Sequence, residues 1–154
     1  MKARDIMFTD FPMISLHASV GDAVRILHKN FGDESYMNAA PGIVVVNDNG
    51  ELAGILSPLT ILKTLGMEAN EAGRPREESP EFYATLSATI KGKKVSDIMD
   101  WQAISVTEEA QLLDVADLFV ANRFQRIPVV RDGKVTGLIY RSRLLFALAD
   151  SLLA

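Results

Sequence analysis

Apolar residues along this chain recur at two spacings, and each spacing occurs twice. Residues 20–27 and 112–119 follow the i, i+3, i+4, i+7 pattern of a helix with one buried face. Residues 43–46 and 127–130 are apolar runs, each followed by Asn-Gly or Asp-Gly and a second apolar run. Because Asn, Asp and Gly tolerate positive φ, these segments predict two β-hairpins.

The whole chain is organised as two copies of one pattern. The segment KARDIM at residues 2–7 reappears as KVSDIM at 94–99, and Ile-Ser-Leu at 14–16 reappears as Ile-Ser-Val at 104–106. An amphipathic helix, a hairpin and a closing helix then follow in the same order in both copies. Each copy is therefore predicted to be a β-α-β-β-α unit.

The predicted domain boundaries follow this repetition. Residues 1–66 form the first repeat, 67–92 a linker and 93–154 the second repeat. Because either repeat alone is too small to be comfortably stable, we expect an α/β (α+β) fold in which the two pack with pseudo-twofold symmetry around a cleft. Within the linker, a loop over 70–79 precedes a predicted helix at 80–91, which we expect on the second repeat or on a neighbouring subunit.

The closing helix of the first copy has its own start and stop signals. Ser57 is a good N-cap, Pro58 suits the first helical position, and Gly66 is the predicted end. The predicted helix carries three leucines: Leu59, Leu62 and Leu65. A longer loop, residues 32–41, is predicted before the first hairpin.

Composition is that of a globular protein and argues against several other classes of protein. The chain has 154 residues, of which 48% are apolar and 23% charged, as in ordinary globular domains. No apolar run approaches the ~18–20 residues that cross a bilayer, and the N-terminus lacks a signal-peptide pattern, so we expect a cytoplasmic location and no membrane. The absence of cysteine excludes disulfides and thiolate chemistry. The net charge of −4 gives no broad basic face, so nucleic-acid binding is not expected.

Catalytic and metal-binding constellations cannot be assembled from this sequence. His17 and His28 lie 11 residues apart on a predicted loop and helix, and we interpret both as surface or packing residues. There is no Ser-His-Asp order, phosphate-binding glycine loop or pair of catalytic carboxylates. The sequence therefore predicts a protein that is not an enzyme and requires no cofactor.

The repeated order of elements resembles the CBS-domain (cystathionine-β-synthase domain) family. The resemblance rests on the two Asp-Ile-Met segments, the Ile-Ser pairs and, best of all, residues 122–139, and it covers 2–66 and 93–150. It implies a stand-alone pair of CBS repeats with two equivalent clefts, usually assembled as a homodimer. Such clefts commonly bind AMP, ADP, ATP or S-adenosylmethionine. The effector protein would be a separate partner.

The family pattern implies which residues meet the ligand, and this sequence departs from it. Three segments of a repeat enclose each cleft, and a Gly-x-x-Thr/Ser-x-x-Asp segment supplies a hydroxyl and a carboxylate for the ribose. Here Ser57 keeps the hydroxyl, but Thr60 stands at the acid position. In the second copy Tyr140 and Arg143 stand at these positions. Both copies therefore lack the carboxylate that would accept hydrogen bonds from a cis diol.

Three consequences are open. Thr60 can bond a ribose more weakly; Arg143, with Arg141 and Arg126, can hold a phosphate or another anion; or the clefts are filled by their own side chains. We favour the second copy, because of its arginines and because Trp101 can stack on a base, although Trp101 can equally cover the core. The candidate ligand-binding residues are Met99, Trp101, Ile104, Arg123, Arg126, Ile127, Pro128, Tyr140, Arg141, Ser142, Arg143, Met7, Ile14, Ser57 and Thr60.

Two functions follow as hypotheses. The first is a regulatory module that binds an adenosine-containing nucleotide or related anion between the repeats and modulates a separate protein. The alternative is a ligand-free interaction or dimerisation module with degenerate clefts. Its partner surface would include the linker helix, residues 32–41 and the acidic stretch 71–81.

Overall fold

Two sets of helices and strands are connected by one linker helix. The computed structural model describes residues 1–31, 42–101 and 104–153, so the loop predicted at 32–41 lies outside the described residues. The elements are α1 Ala3–Ile6, β1 Met13–Ser15, α2 Val20–Phe31, β2 Ile43–Val46, β3 Leu52–Leu56, α3 Pro58–Glu71, α4 Pro80–Lys91, α5 Val95–Ile98, β4 Val106–Thr107, α6 Leu112–Asn122, β5 Arg126–Arg131, β6 Lys134–Tyr140 and α7 Arg141–Leu153. No helix in these described ranges has the length and apolar character needed to span a membrane.

Each repeat contains a three-stranded sheet with the same topology. In the first sheet β1 pairs parallel with β2, and β2 pairs antiparallel with β3. The second sheet repeats this order as β4-β5-β6. Both hairpins carry a register shift at the same place, after Val45 and after Val129. The predicted α/β fold with two related repeats is confirmed.

The two Asp-Ile-Met segments form short helices that the periodicity did not predict. In α1 the Lys2 N–H donates to the Asp5 carboxylate at 2.8 Å. In α5 the Lys94 N–H donates to Asp97 at 3.1 Å. Because each carboxylate accepts a bond from the residue that precedes the helix, the repeated Asp stabilises one helical turn.

The short helices exchange places between the repeats. Ala3 of α1 packs in the core of the second sheet, while Val95 and Met99 pack in the core of the first. Backbone bonds fix this exchange: the Ala3 N–H donates to the Ala110 oxygen, and the Val95 N–H to the Ala18 oxygen, both at 2.8 Å. Each repeat therefore completes the hydrophobic core of the other, which interlocks the two halves.

The linker helix α4 is present where the sequence predicts it, but it packs against α2 and α3 of the first repeat. The expectation that it packs on the second repeat was wrong. Gly21 allows the close approach, because a Cβ there would lie 3.3 Å from the Lys91 carbonyl oxygen. Just beyond α4, Lys93 pairs with Glu68 of α3 at 3.0 Å. Helix α4 is thus part of the first repeat's surface.

Helix α3 is longer than predicted. It continues through Gly66 to Glu71, and the chain adopts a positive φ of 79° at Gly73. A glycine inside a helix costs only about 1 kcal/mol, so tertiary packing can override it. Leu59 and Leu62 are exposed, whereas Ile61 is buried. The buried face of α3 therefore carries Ile61 and not these two leucines.

Candidate ligand-binding cleft between the repeats

The first cleft forms where the hairpin of the first repeat meets the segment after α5. Ile55 and Asp100 exchange two backbone hydrogen bonds, each at 3.1 Å. Gly54 makes this approach possible, because a Cβ there would overlap the Asp100 carbonyl oxygen. The contact places the start of α3 directly beside the second repeat.

A cavity of about 110 Å³ opens at this junction. Its lining comes from both repeats and consists of Ile55, Ser57, Thr60, Asp100, Ile104, Phe124, Gln125, Arg126 and Pro128. The family pattern had implied three segments of a single repeat. In this cavity Ser57 and Thr60 of the first repeat face residues of the second. This division follows from the exchange of α1 and α5.

Five predicted binding residues come together in this cavity: Ser57, Thr60, Ile104, Arg126 and Pro128. Sequence reasoning missed four others: Ile55, Asp100, Phe124 and Gln125. Asp100, Phe124 and Gln125 are next to predicted residues in the sequence, and this adjacency was the only sequence signal for them. Ile55 could not be found in this way, because its role depends on the pairing with Asp100.

The hydroxyl side of the cavity is the N-terminus of α3. The Ser57 Oγ accepts a bond from the Thr60 N–H at 3.4 Å and lies 3.3 Å from the Thr60 hydroxyl. Pro58 occupies the first helical turn. Because the N-terminal end of a helix carries partial positive charge, this side favours a negatively charged group.

Arg126 provides the cationic side of the cavity. It lies opposite Tyr140 in the β5–β6 ladder, and its guanidinium packs so closely on Gly42 that a Cβ there would lie 2.7 Å from the Arg126 Cζ. Burial lowers the pKa of Arg126 from its usual value, while its interaction with Tyr140 opposes that shift. Burial also raises the pKa of Tyr140. A partly desolvated positive charge of this kind is stabilised by an anion.

Arg143 lies at the equivalent junction of the second repeat. There Phe8 and Leu138 exchange two backbone bonds of 2.9 Å. The Arg143 Nε donates to the Ile6 oxygen at 3.3 Å, and its guanidinium lies 5.5 Å from the centre of the Phe8 ring. Phe8 also packs edge-on against Tyr140, with 5.8 Å between ring centroids. The structure therefore does not bring Arg143 into the cavity that Arg126 lines.

Four further predicted residues lie behind the clefts. Met99, Ile14 and Ile127 are buried in the two cores. Met7 packs on Gly137, where an added Cβ would overlap its side chain. These residues support the cleft walls and do not line the described cavity.

The remaining predicted residues are nearer the surface. Trp101 is exposed, and its indole N–H donates to the Ser96 oxygen at 3.2 Å, so the ring is held against α5. Arg123 is an exposed C-cap of α6 with a φ of 54°. Arg141 is exposed and Ser142 half-buried in the first turn of α7. None of these four lines the described cavity.

The two histidines are apart from the cleft. His17 lies 3.4 Å from Asp48 on the exposed surface, and His28 is exposed in α2. Within the part of the chain that the structure describes, no group of three or more His, Cys, Asp or Glu side chains is arranged to hold a metal ion.

Known proteins share both the sequence pattern and this architecture. The family model for the CBS domain matches residues 3–66 and 95–150. The uncharacterized protein MJ1426 of Methanocaldococcus jannaschii is 32% identical over 164 aligned positions, which cover 96% of this chain and 88% of that protein. The chloroplastic CBS domain-containing protein CBSX2 of Arabidopsis thaliana is 30% identical over 139 positions, covering 84% of this chain and 55% of that protein.

Solved structures are similar along nearly the whole chain. A CBS domain-containing protein of unknown function from Kribbella flavida superposes with a TM-score of 0.74 at 21% identity, covering 97% of this chain and 99% of its own. CBSX2 in complex with AMP gives 0.71 at 24% identity, covering 97% of both chains. The cytosolic domain of the Mg²⁺ channel MgtE in complex with ATP gives 0.68 at 20% identity, covering 96% of this chain and 48% of its own. With two matched segments and this repeated architecture, the chain belongs to the CBS-domain family as a tandem pair of repeats.

Proposed function

We propose that this chain is a non-catalytic regulatory module that binds an adenosine-containing nucleotide, or a related anion, in the Arg126 cavity and modulates a separate partner protein. One observation carries the proposal: the Arg126 guanidinium and the N-terminus of α3 meet in a cavity built from both repeats. Structural neighbours solved with AMP and with ATP make adenine nucleotides the first ligand class to test. No cofactor is required.

The cavity lining suits the parts of a nucleotide. Ile104, Phe124 and Pro128 offer an apolar wall for a base, and Arg126 with the α3 N-terminus suits a phosphate. The lining also contains an acidic residue, Asp100, which the motif did not identify. Because small-molecule clefts usually measure about 300–1,000 Å³, a nucleotide would fill this cavity of about 110 Å³ and extend beyond it.

Regulation requires that the ligand prefer one arrangement of the protein over another. The cavity lining joins residues on both sides of the Ile55–Asp100 contact, so a ligand there touches both repeats at once. A change in how the repeats pack is therefore the signal that a separate partner protein would detect. The cytoplasmic location expected from the sequence stays a prediction.

We include a homodimer in the proposal. Exposed apolar side chains lie on both closing helices: Leu59 and Leu62 on α3, and Leu145 and Phe146 on α7, with Leu62 and Leu145 at equivalent positions. Burying such side chains between two copies would remove apolar surface from water. Sedimentation of the wild type should show a dimer, and the Leu62→Glu/Leu145→Glu variant should be a monomer. A monomeric wild type would contradict this part.

The alternative is a ligand-free interaction module. It is supported by Thr60 and Arg143, which replace the acids of the family pattern in both repeats. Under this alternative Arg126 stabilises the packing of the repeats and binds no ligand.

Thermal unfolding with added ligands separates the two functions. The ligands are AMP, ADP, ATP, S-adenosylmethionine, NAD and inorganic phosphate. A ligand at about 100 times its Kd stabilises by about 2.7 kcal/mol, a rise in Tm of roughly 5–10 °C at this chain length. A rise with an adenosine compound but not with phosphate supports the proposal. A rise with phosphate alone makes the cavity a general anion site, and no rise with any compound favours the alternative.

A further inference from the structure

Asp100 is an acidic residue in the wall of a cavity that otherwise suits an anion. It lines this cavity together with Arg126 and the start of α3. A carboxylate repels a phosphate, because like charges at short range are unfavourable, so the binding of a bare anion gives Asp100 no role. Its side chain must face a part of the ligand that carries no negative charge.

The position of Asp100 is fixed through its backbone. It exchanges two hydrogen bonds of 3.1 Å with Ile55, as a directly opposed antiparallel pair does. Gly54 permits the close approach, since an added Cβ there would overlap the Asp100 carbonyl oxygen. The side chains of such a pair lie on one face with their Cβ atoms about 4.5–5.5 Å apart, and both Asp100 and Ile55 border the cavity.

The start of α3 lies two residues further along the same strand. Ser57 has an extended backbone, with φ −120° and ψ 162°, so its side chain is on the same face as that of Ile55. Burial agrees with this alternation, because Leu56 is fully buried while Ile55 and Ser57 are half-buried. Diagonal neighbours in such a ladder are about 7–8 Å apart. The Asp100 side chain is therefore beside the Ser57–Thr60 end of the cavity.

The junction itself does not require a carboxylate at this position. The second repeat makes the same backbone pair with Phe8 and Leu138. Phe8 corresponds to Asp100, since the segments KARDIMF at 2–8 and KVSDIMD at 94–100 are copies of one pattern. The same backbone contact thus forms with an aromatic or an acidic side chain. The acid of Asp100 distinguishes the first cleft from the second.

A nucleotide offers a carboxylate two kinds of hydrogen-bond donor, the ribose hydroxyls and the exocyclic amine of the base. The phosphate suits Arg126 and the α3 N-terminus, while the base suits the apolar wall of Ile104, Phe124 and Pro128. The ribose connects the phosphate to the base, whereas the amine is at the far edge of the base. Because Asp100 lies near the α3 end, the ribose hydroxyls are its nearest donors.

We propose that Asp100 binds the ribose of the nucleotide by accepting hydrogen bonds from its 2′- and 3′-hydroxyls. A carboxylate suits this role because its two oxygens accept from both members of a cis diol. The cavity therefore selects ribonucleotides over 2′-deoxyribonucleotides. The inference rests on the proposed function, since it names the part of the adenosine ligand that Asp100 contacts.

Isothermal titration with AMP and with 2′-deoxy-AMP measures this selectivity. The two ligands have the same base and phosphate and differ by one hydroxyl. The wild type should bind AMP about tenfold to a hundredfold more tightly, because 2′-deoxy-AMP loses a hydrogen bond to a charged group. The ratio of the two Kd values is the informative quantity, since repulsion between Asp100 and the phosphate affects both ligands equally.

Protein variants locate the source of the selectivity. Asp100→Ala removes the acceptor and should reduce the preference for AMP to less than about threefold. Thr60→Val removes the hydroxyl that is the other candidate for the ribose, and it should retain the preference. Asp117→Ala removes an exposed acid of α6 outside the cavity lining and is the charge-matched control. Circular dichroism should show unchanged folding of Asp100→Ala, because Asp100 is exposed and pairs with Ile55 through its backbone.

The outcomes separate this inference from the proposed function. Equal binding of AMP and 2′-deoxy-AMP by the wild type overturns the inference alone, and this test does not depend on the folding of any variant. A preference that Asp100→Ala retains also overturns it, and loss of the preference in Thr60→Val instead assigns the ribose to Thr60. If the wild type binds neither nucleotide, the proposed function fails and the inference fails with it.

Discussion

The two repeats have the same backbone junction but different side chains around it. In the first, Ile55 meets Asp100 beside a cavity that Arg126 lines. In the second, Leu138 meets Phe8, whose ring contacts both Tyr140 and Arg143. Their outer surfaces differ as well, since α4 packs on α2 and α3 of the first repeat. The two repeats thus share one backbone scaffold, while the ligands that each half can bind depend on its own side chains.

The largest expected effect tests the exchange of α1 between the repeats. Ile6 is buried in the core of the second sheet, so Ile6→Ala should lower the free energy of unfolding by about 2–5 kcal/mol. Met67→Ala, at an exposed position, is the control and should change it by less than about 0.5 kcal/mol. Urea denaturation measures both. Equal effects would mean that α1 does not belong to this core.

The next effect compares the two strand glycines. Gly54→Ala and Gly137→Ala should each destabilise the fold by about 1–3 kcal/mol through overpacking. Gly54→Ala should cost more, because the added methyl meets the Asp100 carbonyl oxygen, whereas at Gly137 it meets the Met7 side chain.

A compensating change sharpens this comparison. Met7→Ala should recover part of the stability lost by Gly137→Ala, since it removes the atoms that the new methyl meets. No recovery in the double variant, measured by urea denaturation, would show that the backbone and not Met7 limits this position.

A smaller effect concerns the attachment of α4 to the first repeat. Glu68→Gln removes the charge that pairs with Lys93 and should cost about 0.2–1 kcal/mol, because both side chains are partly exposed. Glu77→Gln, at an exposed position outside the helices, is the matched control. The loss should shrink at 1 M salt, where surface charges are screened. A loss that salt does not change would argue against an ionic origin.

The smallest effect is a dependence on pH. Burial raises the pKa of Tyr140, so the neutral phenol is favoured in the folded state. The resulting stability is present below the ordinary pKa of tyrosine, about 10, and is lost as pH rises through the higher folded-state pKa. Tyr140→Phe should therefore lose less stability between pH 9 and pH 11 than the wild type does. Parallel pH profiles from thermal unfolding would contradict this.

Local signals predicted those parts of the fold that local chemistry determines. The hairpins follow from Asn-Gly and Asp-Gly between apolar runs, and the helix predicted at 80–91 is α4, which Ser79 caps and Gly92 ends. The buried orientation of α3 was not predictable, because Leu59 and Ile61 are equally apolar and only the packing distinguishes them.

The lining of the cavity, likewise, could be predicted only in part from the sequence. Ser57 and Arg126 were found from a motif, but the sequence could not show that they belong to different walls of one cavity. That arrangement depends on the exchange of α1 and α5, which the hydrophobic periodicity of the sequence does not indicate. The same exchange separates Arg126 from Arg143. The sequence analysis had considered these two residues as joint ligands of one phosphate or other anion.

Isothermal titration of AMP into the wild type, Arg126→Gln and Arg143→Gln tests the central claim most directly. If the ligand binds in the cavity between the repeats, Arg126→Gln should weaken binding at least tenfold, about 1.4 kcal/mol or more, because it removes a charged hydrogen-bond donor. Arg143→Gln should bind within about twofold of the wild type, because its guanidinium lies on Phe8 at the other junction. Weakening by Arg143→Gln with no effect of Arg126→Gln, or no binding of AMP to the wild type, would contradict the account.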